Sequence, residues 1–338
     1  MTSTVNTRGS SNSNLHKART AKKDEFYTRL EDIENELKHY RGHFKDKTVF
    51  LNCDDPEYSN FWFYFSRNFD FLGLKRLIAT HYTGLGSDNP PPSYALELVR
   101  PADGSPTDIE NPVRTDLEGD GDFRSDEAVE YLQQSDIVVT NPPFSLFREY
   151  VAQLMEYEKK FLIIGNTNAI TYKEIWPYIQ RDELWIGAST FNVGMYFEVP
   201  EGFEYGASYK FPREMDGKAV CRVSNICWYT NLDNPRRHED IILFRHYEGN
   251  EEQYPKYDNY DAIEVNKVAN IPVDYEGYMG VPITFLGKHN PDQFEIAGTS
   301  DNGLVPDFMK LSHHQRHNEP YVAGKKRYKR IFIKRVSE

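Results

Sequence analysis

Asp136-Ile137-Val138-Val139-Thr140-Asn141-Pro142-Pro143-Phe144 joins a short run of branched apolar residues to an Asn-Pro-Pro-aromatic string, and that junction decides how the chain is read. Val and Ile in an unbroken run suit a strand covered on both faces of a parallel sheet. Runs of similar texture lie at 48–52, 76–80 and 161–165. Helical spacing fills intervals between them, at 60–69, 125–134 and 146–157, the last placing Phe147, Tyr150, Val151 and Leu154 on one side. Strand and helix in alternation predict an open, doubly wound α/β sheet. Ligands of such sheets bind beyond the carboxyl ends of the strands, which is where Thr140 hands the chain to Asn141.

Outward from this centre, texture divides the chain. Residues 1–15 are poor in apolar side chains and are expected to form a disordered arm. A helix is predicted over 24–40, where Phe26, Leu30, Ile33 and Leu37 recur at helical spacing. Residues 16–185 are taken as the core, interrupted at 84–120 by an insertion of Pro-, Gly- and Asp-rich loops with one strand at 94–99. Residues 186–338 turn aromatic and β-prone, at 184–188, 195–199, 220–229 and 241–246, and are expected to hold further core strands merging into a recognition region.

With 338 residues, 39% hydrophobic and 27% charged, the chain can bury one large core or two unequal ones. No apolar run approaches the roughly 20 residues that cross a bilayer, so no membrane partner is expected. Cys53, Cys221 and Cys227 make an odd set without a CxxC pair, which argues against a disulfide framework and for a cytoplasmic setting. A net charge of −12 opposes nucleic-acid binding on average. The cations are clustered, however: His16, Lys17, Arg19, Lys22 and Lys23 near one end, and Lys325, Lys326, Arg327, Lys329, Arg330, Lys334 and Arg335 at the other. No acid falls between Pro320 and Ser337, and Tyr321, Tyr328 and Phe332 are interleaved there. Such clusters fit a solvated tail or phosphate contacts.

The Asn-Pro-Pro-aromatic string suits chemistry at a planar, conjugated nitrogen such as the N6 amine of adenine. That lone pair is delocalised into the ring, and two acceptors aimed at its two N–H bonds localise it toward a methyl sulfonium. The Asn141 side-chain oxygen and the Pro142 carbonyl supply the acceptors. Pro142 and Pro143 hold φ near about −65° and carry no competing N–H. Phe144 offers a face on which a base rotated out of a duplex can stack. A bland alternative is a plain strand-to-helix turn, with Ser145 capping the next helix. Asn89-Pro90-Pro91-Pro92 begins in the same way but follows a polar loop and lacks the aromatic face.

The strings Asp24-Glu25-Phe26-Tyr27-Thr28, Asn52-Cys53-Asp54-Asp55-Pro56, Asp122-Phe123 and Asn141-Pro142-Pro143-Phe144, in this order and spacing, resemble the EcoRI-type adenine-N6 DNA methyltransferase family. The likeness runs from about His16 to the C-terminus and includes 191–200. It implies a Rossmann-like S-adenosylmethionine-dependent methyltransferase sheet with an aromatic-rich, partly β C-terminal DNA-recognition region. It also implies double-stranded DNA as the partner of a monomer that serves either a restriction-modification system, with a cognate restriction endonuclease reading the same site, or a phage or prophage system. By the same resemblance Asp24, Phe26, Tyr27 and Thr28 hold the methionine end of S-adenosylmethionine. Asp54, Asp55 and Pro56 lie near its ammonium group or ribose hydroxyls, Asp122 bonds its adenine amine, and Phe123 packs on its ring.

Two departures stand out. The loop Asp55-Pro56-Glu57-Tyr58-Ser59 contains no glycine, although Ser59 can cap the next helix, and the strand at 76–80 runs into His81 and Tyr82 instead of the acid that often binds the ribose. Asp54 or Asp55 is then the expected substitute. The histidines His313, His314 and His317 lack acids or Cys at ligand spacing, so no metal is expected. Arg236, Arg237 and His238 fit phosphate contacts or a solvated turn equally. Trp185, Trp228 and Phe191 fit a core better than a DNA wedge. Methylation of RNA guanine or protein glutamine, and a catalytically silent DNA-binding module, remain the competing functions.

Overall fold

The computed structural model describes residues 27–53, 55–83, 92–189, 191–200, 202–301 and 319–336. Along the chain, β1 (Tyr27–Thr28) precedes helix α1 (Leu30–Leu37), and β2 (Thr48–Leu51), helix α2 (Asn60–Arg67) and β3 (Arg76–Thr80) make a first crossover unit. An antiparallel pair follows, β4 (Tyr94–Val99) and β5 (Val113–Asp116). Helix α3 (Asp126–Gln134), β6 (Ile137–Thr140), helix α4 (Phe147–Glu156) and β7 (Lys160–Asn166) form the second unit. After helix α5 (Trp176–Gln180) come β8 (Trp185–Ile186), β9 (Met195–Glu198), β10 (Glu214–Met215), β11 (Lys218–Val223) and β12 (Ile226–Thr230).

The main sheet is mixed, in the order β5-β4-β3-β2-β6-β7-β12-β8. Its centre, β3-β2-β6-β7, is parallel, with Val49 beside both Leu77 and Ile137. β2 and β6 are buried at every position, as strands covered on both faces must be. Alternate residues face two different cores. Phe50, Ile78, Val138, Phe161 and Ile163 pack with Leu132 of α3, Tyr150, Val151 and Leu154 of α4, and Trp176 of α5. Val49, Leu51, Leu77, Val139 and Ile164 pack with Ile33 and Leu37 of α1 and Phe61 and Phe65 of α2. The expected α/β class is observed.

The last third adds β13 (Ala262–Glu264), β14 (Tyr278–Val281), β15 (Phe294–Thr299), β16 (Tyr321–Val322), β17 (Lys325–Lys326) and β18 (Ile331–Arg335). Four of these form a sheet ordered β13-β14-β18-β15, whose Met279, Val281, Phe294, Ile331 and Ile333 join the first core; β16 and β17 make a separate hairpin.

Several local expectations change in three dimensions. The helix predicted over 24–40 starts only at Leu30, because Tyr27 and Thr28 pair antiparallel with Glu198 and Phe197 in a small sheet, β1-β9-β11-β10. A long-range pairing overrides the local helical spacing there. Within 84–120 two strands are present rather than one, and both extend the main sheet. The predicted strand at 220–229 is broken at Asn225, whose φ of 59° lets the chain leave one sheet for another. At 241–246 no strand forms; the segment makes one isolated bridge, Arg245 to Pro272, while the Gln293 side chain both accepts from the Ile241 N–H and donates to its carbonyl, standing in for a neighbouring strand. The arm expected at 1–15 and the string Asn89-Pro90-Pro91 lie outside the described residues. Among those residues no helix is long and apolar enough to cross a membrane.

Candidate active site

β3 lies on one side of β2 and β6 on the other, so the winding of the sheet reverses between β2 and β6. That reversal opens a crevice beyond their carboxyl ends. Asn52 leaves β2 into it and Asn141 leaves β6 into it. Asn141 and Phe144 are half-buried, Pro142 is buried and Pro143 exposed. The Pro143 carbonyl accepts the Leu146 N–H at 2.9 Å, opening a short turn, Phe144–Leu146, that feeds α4. Ser145 sits inside this turn and is not the cap; Leu146 precedes α4 without a side-chain cap. Phe144 packs on the second core, as Trp62 and Ala188 do.

The residues expected at the cofactor converge on the same edge. The Asn60 amide at the start of α2 donates to the Thr28 carbonyl at 2.8 Å and reaches Glu198 at 3.3 Å, tying β1 to the loop after β2. The Tyr27 ring lies 6.4 Å from that of Tyr58 in this loop. Pro56 is buried, and Ser59 caps α2 by accepting from the Phe61 N–H, as expected. Asp55 accepts from the Glu57 N–H and the Tyr94 hydroxyl, both at 3.0 Å, and faces His81 Nε2 at 3.4 Å. Burial, with the Asp55 charge beside it, pushes the Tyr94 phenol well above its ordinary value. The Arg114 guanidinium lies 3.7 Å over the Tyr94 ring.

Asp122 receives both ends of the Arg124 side chain, at 2.8 and 2.7 Å, and the Arg124 N–H at 2.9 Å. Those bonds hold its carboxyl below the usual range, ready to accept. Phe123 is 4% exposed and meets the Tyr150 ring edge-on at 5.0 Å, while the Tyr150 hydroxyl donates to Asn52 Oδ1. Gly121 (φ 78°) brings this loop against the end of β3 so closely that a Cβ there would lie 2.1 Å from the His81 carbonyl oxygen. Asp24, Phe26 and Asp54 lie outside the described residues.

Thr28 Oγ1, Asn52 Nδ2, Thr80 Oγ1, His81 Nδ1 and Thr140 Oγ1 are buried on this edge and have no hydrogen-bond partner among the described residues. Buried polar atoms are nearly always bonded, so five together mark a surface shaped for a polar ligand. S-adenosylmethionine, with its ammonium, carboxylate, ribose and adenine groups, fits such a donor and acceptor set beside the apolar ring of Phe123. A cavity of about 450 Å³ lined by Gln180, Asp182, Tyr278, His289 and Phe294 gathers none of the motif residues.

Outside the crevice, much of what looked like free positive charge is committed. Arg330 and Arg327 reach Glu264, which is 1% exposed, at 2.9 and 3.1 Å, Lys329 reaches the buried Asp301 at 2.6 Å, and Lys326 pairs with Glu319. Arg237 pairs with Asp182 and covers the Trp185 ring at 3.8 Å; Arg236 donates to the Ala188 carbonyl; His238 bridges Asp233 and Asp292 at 2.9 Å each. Trp228 is core, at 1% exposed. The cluster at 16–23 and His313, His314 and His317 lie outside the described residues. Cys53, Cys221 and Cys227 form no disulfide.

Tyr94, Asn60, Tyr150 and Gly121 hold the site although no motif contains them. Only His81 left a trace in the sequence, as the residue standing where an acid was expected.

The model of the family described as adenine-specific methyltransferase EcoRI matches residues 14–336. The Type II methyltransferase M.EcoRI of Escherichia coli is 48% identical over 323 residues, covering 91% of this chain and 98% of its own. The Type II methyltransferases M.MgeORF184P of Mycoplasma genitalium and M.MpnI of Mycoplasma pneumoniae are 39% and 41% identical, each covering 95% of this chain and 98% and 97% of their own. No solved structure matches the chain.

Proposed function

The chain belongs to the EcoRI family of adenine-specific methyltransferases, and from that premise we propose that it methylates the N6 amine of a flipped-out adenine in double-stranded DNA at one short sequence. The observation that carries the reading is the position of Asn141-Pro142-Pro143-Phe144 at the switch point of the sheet, beside five buried polar atoms that lack partners among the described residues. Bound S-adenosylmethionine supplies a methyl group on a positively charged sulfur. Asn141 Oδ1 and the Pro142 carbonyl would accept from the two N–H bonds of the target amine and draw its lone pair out of conjugation with the ring, so that the N–CH3 bond forms as the S–CH3 bond breaks and S-adenosylhomocysteine is released. Phe144 gives the extruded base a face to stack on, worth about 1–3 kcal/mol. The amine proton leaves after transfer, so no strong general base is needed.

On the cofactor side, Tyr27 and Thr28, tied by Asn60 to the loop holding Asp55 and Pro56, line the methionine end. Asp24, Phe26 and Asp54 are assigned there from the family resemblance. Asp122 accepts from the cofactor's adenine amine and Phe123 packs on its ring. Residues 16–185 are the catalytic core in this reading; 186–338 supply the remaining core strands and the DNA-recognition region. Exposed Lys325 and Tyr328, the latter 86% exposed, favour the end of the chain for contacts to phosphate and bases. The working unit is a cytoplasmic monomer, paired with a restriction endonuclease of the same specificity.

Methylation of RNA guanine or protein glutamine uses the same two-acceptor chemistry, and a silent DNA-binding module shares the fold. Membership in an adenine-specific family favours DNA adenine. Labelled S-adenosylmethionine incubated with plasmid free of adenine methylation should place the label in N6-methyladenine. Label found only in RNA or protein overturns the substrate.

A further inference from the structure

The strand at Arg76–Thr80 ends without the acid that often binds the ribose of S-adenosylmethionine, and Asp54 or Asp55 is the substitute expected from the sequence. We propose that His81 is instead the ribose partner, its Nδ1 accepting a hydrogen bond from a ribose hydroxyl. The inference rests on the cofactor lying on this edge, as proposed above.

His81 is the first residue past β3, between the Asp55 loop and the Gly121–Phe123 loop. Its Nε2 faces Asp55 Oδ2 at 3.4 Å, and its carbonyl abuts Gly121. The ribose joins the methionine end of the cofactor to its adenine, so loops that hold those ends leave the sugar at His81. The side chain is fixed in place. The His81 backbone N–H donates to the Tyr94 carbonyl at 2.8 Å, which fixes the main chain, and the imidazole lies against the Tyr94 ring at 4.9 Å, tilted by 38°.

Chemistry selects the atom. A nitrogen turned to a carboxylate carries the proton, so Nε2 is the donor and a neutral ring leaves Nδ1 with a lone pair. Nδ1 is buried and has no partner among the described residues, a costly state that a donor hydroxyl would relieve. Asp55 is the weaker candidate. It already accepts from the Glu57 N–H and the Tyr94 hydroxyl and faces His81. Thr80 Oγ1, one residue earlier, is also buried without a partner among the described residues and offers a second polar contact on the same edge.

The test is calorimetric titration with S-adenosylhomocysteine and its 2′-deoxy and 3′-deoxy forms, which reads binding without turnover. Losing the hydroxyl that meets His81 should weaken binding to the wild type by roughly ten- to hundredfold. His81→Ala, and His81→Phe, which keeps a ring against Tyr94, should bind the full ligand more weakly by a similar factor and no longer distinguish it from the deoxy form. His81→Asn, whose amide oxygen can sit near the position of Nδ1, should recover part of the discrimination. A wild type indifferent to both hydroxyls, or an Ala or Phe variant that discriminates as the wild type does, overturns the role of His81 alone. A wild type that binds neither S-adenosylmethionine nor S-adenosylhomocysteine overturns the cofactor reading, and this inference falls with it.

Discussion

Tyr150→Phe removes one oxygen from the wall between the core and the crevice. Tyr150 is fully buried, its hydroxyl donates to Asn52 Oδ1, and Asn52 is itself 2% exposed. The ring stays, so no cavity opens, and its edge-on contact with Phe123, worth about 0.5–1.5 kcal/mol, is kept. What is lost is the strong donor to Asn52 Oδ1, leaving the Cys53 thiol at 3.6 Å as a weak substitute. Stranding a buried acceptor costs about 1–3 kcal/mol, which urea unfolding should read as a lower midpoint with unchanged slope. The same bond orients the Asn52 amide, whose buried Nδ2 has no partner among the described residues. Loosening it should cost about 1 kcal/mol of cofactor binding, about fivefold in Kd by titration. A variant within about 0.5 kcal/mol of wild type and within twofold in affinity would refute the claim that this hydroxyl organises the edge. A stability loss with unchanged affinity would refute only the link from core to cofactor.

Other perturbations test separate parts of the account. Gly121→Ala would press a Cβ to 2.1 Å from the His81 carbonyl at a φ of 78°, where backbone must move; it should cost at least about 1–3 kcal/mol by thermal unfolding and abolish cofactor binding by titration. Arg330→Met leaves the buried Glu264 with Arg327 alone and should cost about 3–5 kcal/mol in urea unfolding, while Glu264→Leu combined with Arg330→Met should cost much less. The bonds from Asp292 and Asp233 raise the His238 pKa, so protonated His238 stabilises the fold below its ordinary value of about 6.5 and that contribution is lost as pH rises through the raised value. Thermal unfolding of His238→Asn should therefore show a flatter dependence than wild type as pH rises above about 6.5, and parallel curves would contradict the bridge.

The parts legible in sequence were those set by local pattern. β3 and β4 appear at the expected residues, and β2, β6, β7, α3 and α4 within one or two. Two-sided burial leaves an apolar run that reads without any knowledge of the neighbours. The reading failed where distant residues decide. Tyr27 and Thr28 carry helical spacing, yet pair with residues some 170 positions away. Arg327 and Arg330 looked free because Glu264 lies more than 60 residues upstream and no local pattern announces it. In the site, Asn141, Asp55, Asp122 and Phe123 were visible as motifs. The residues that hold them, Tyr94, Tyr150, Asn60 and Gly121, were not, because they act through contacts made only when β4, α4 and α2 pack.

The central claim is that Asn141-Pro142-Pro143-Phe144 grips an adenine in DNA for methylation at N6. Its most direct test is a single-molecule map of N6-methyladenine across the DNA of otherwise methylation-free cells that express the wild type or Asn141→Ala. The wild type should modify one adenine of a single short sequence throughout the genome, and Asn141→Ala should leave every such site bare while still binding S-adenosylhomocysteine. An unmodified genome with the wild type, or equal modification by Asn141→Ala, would contradict the account.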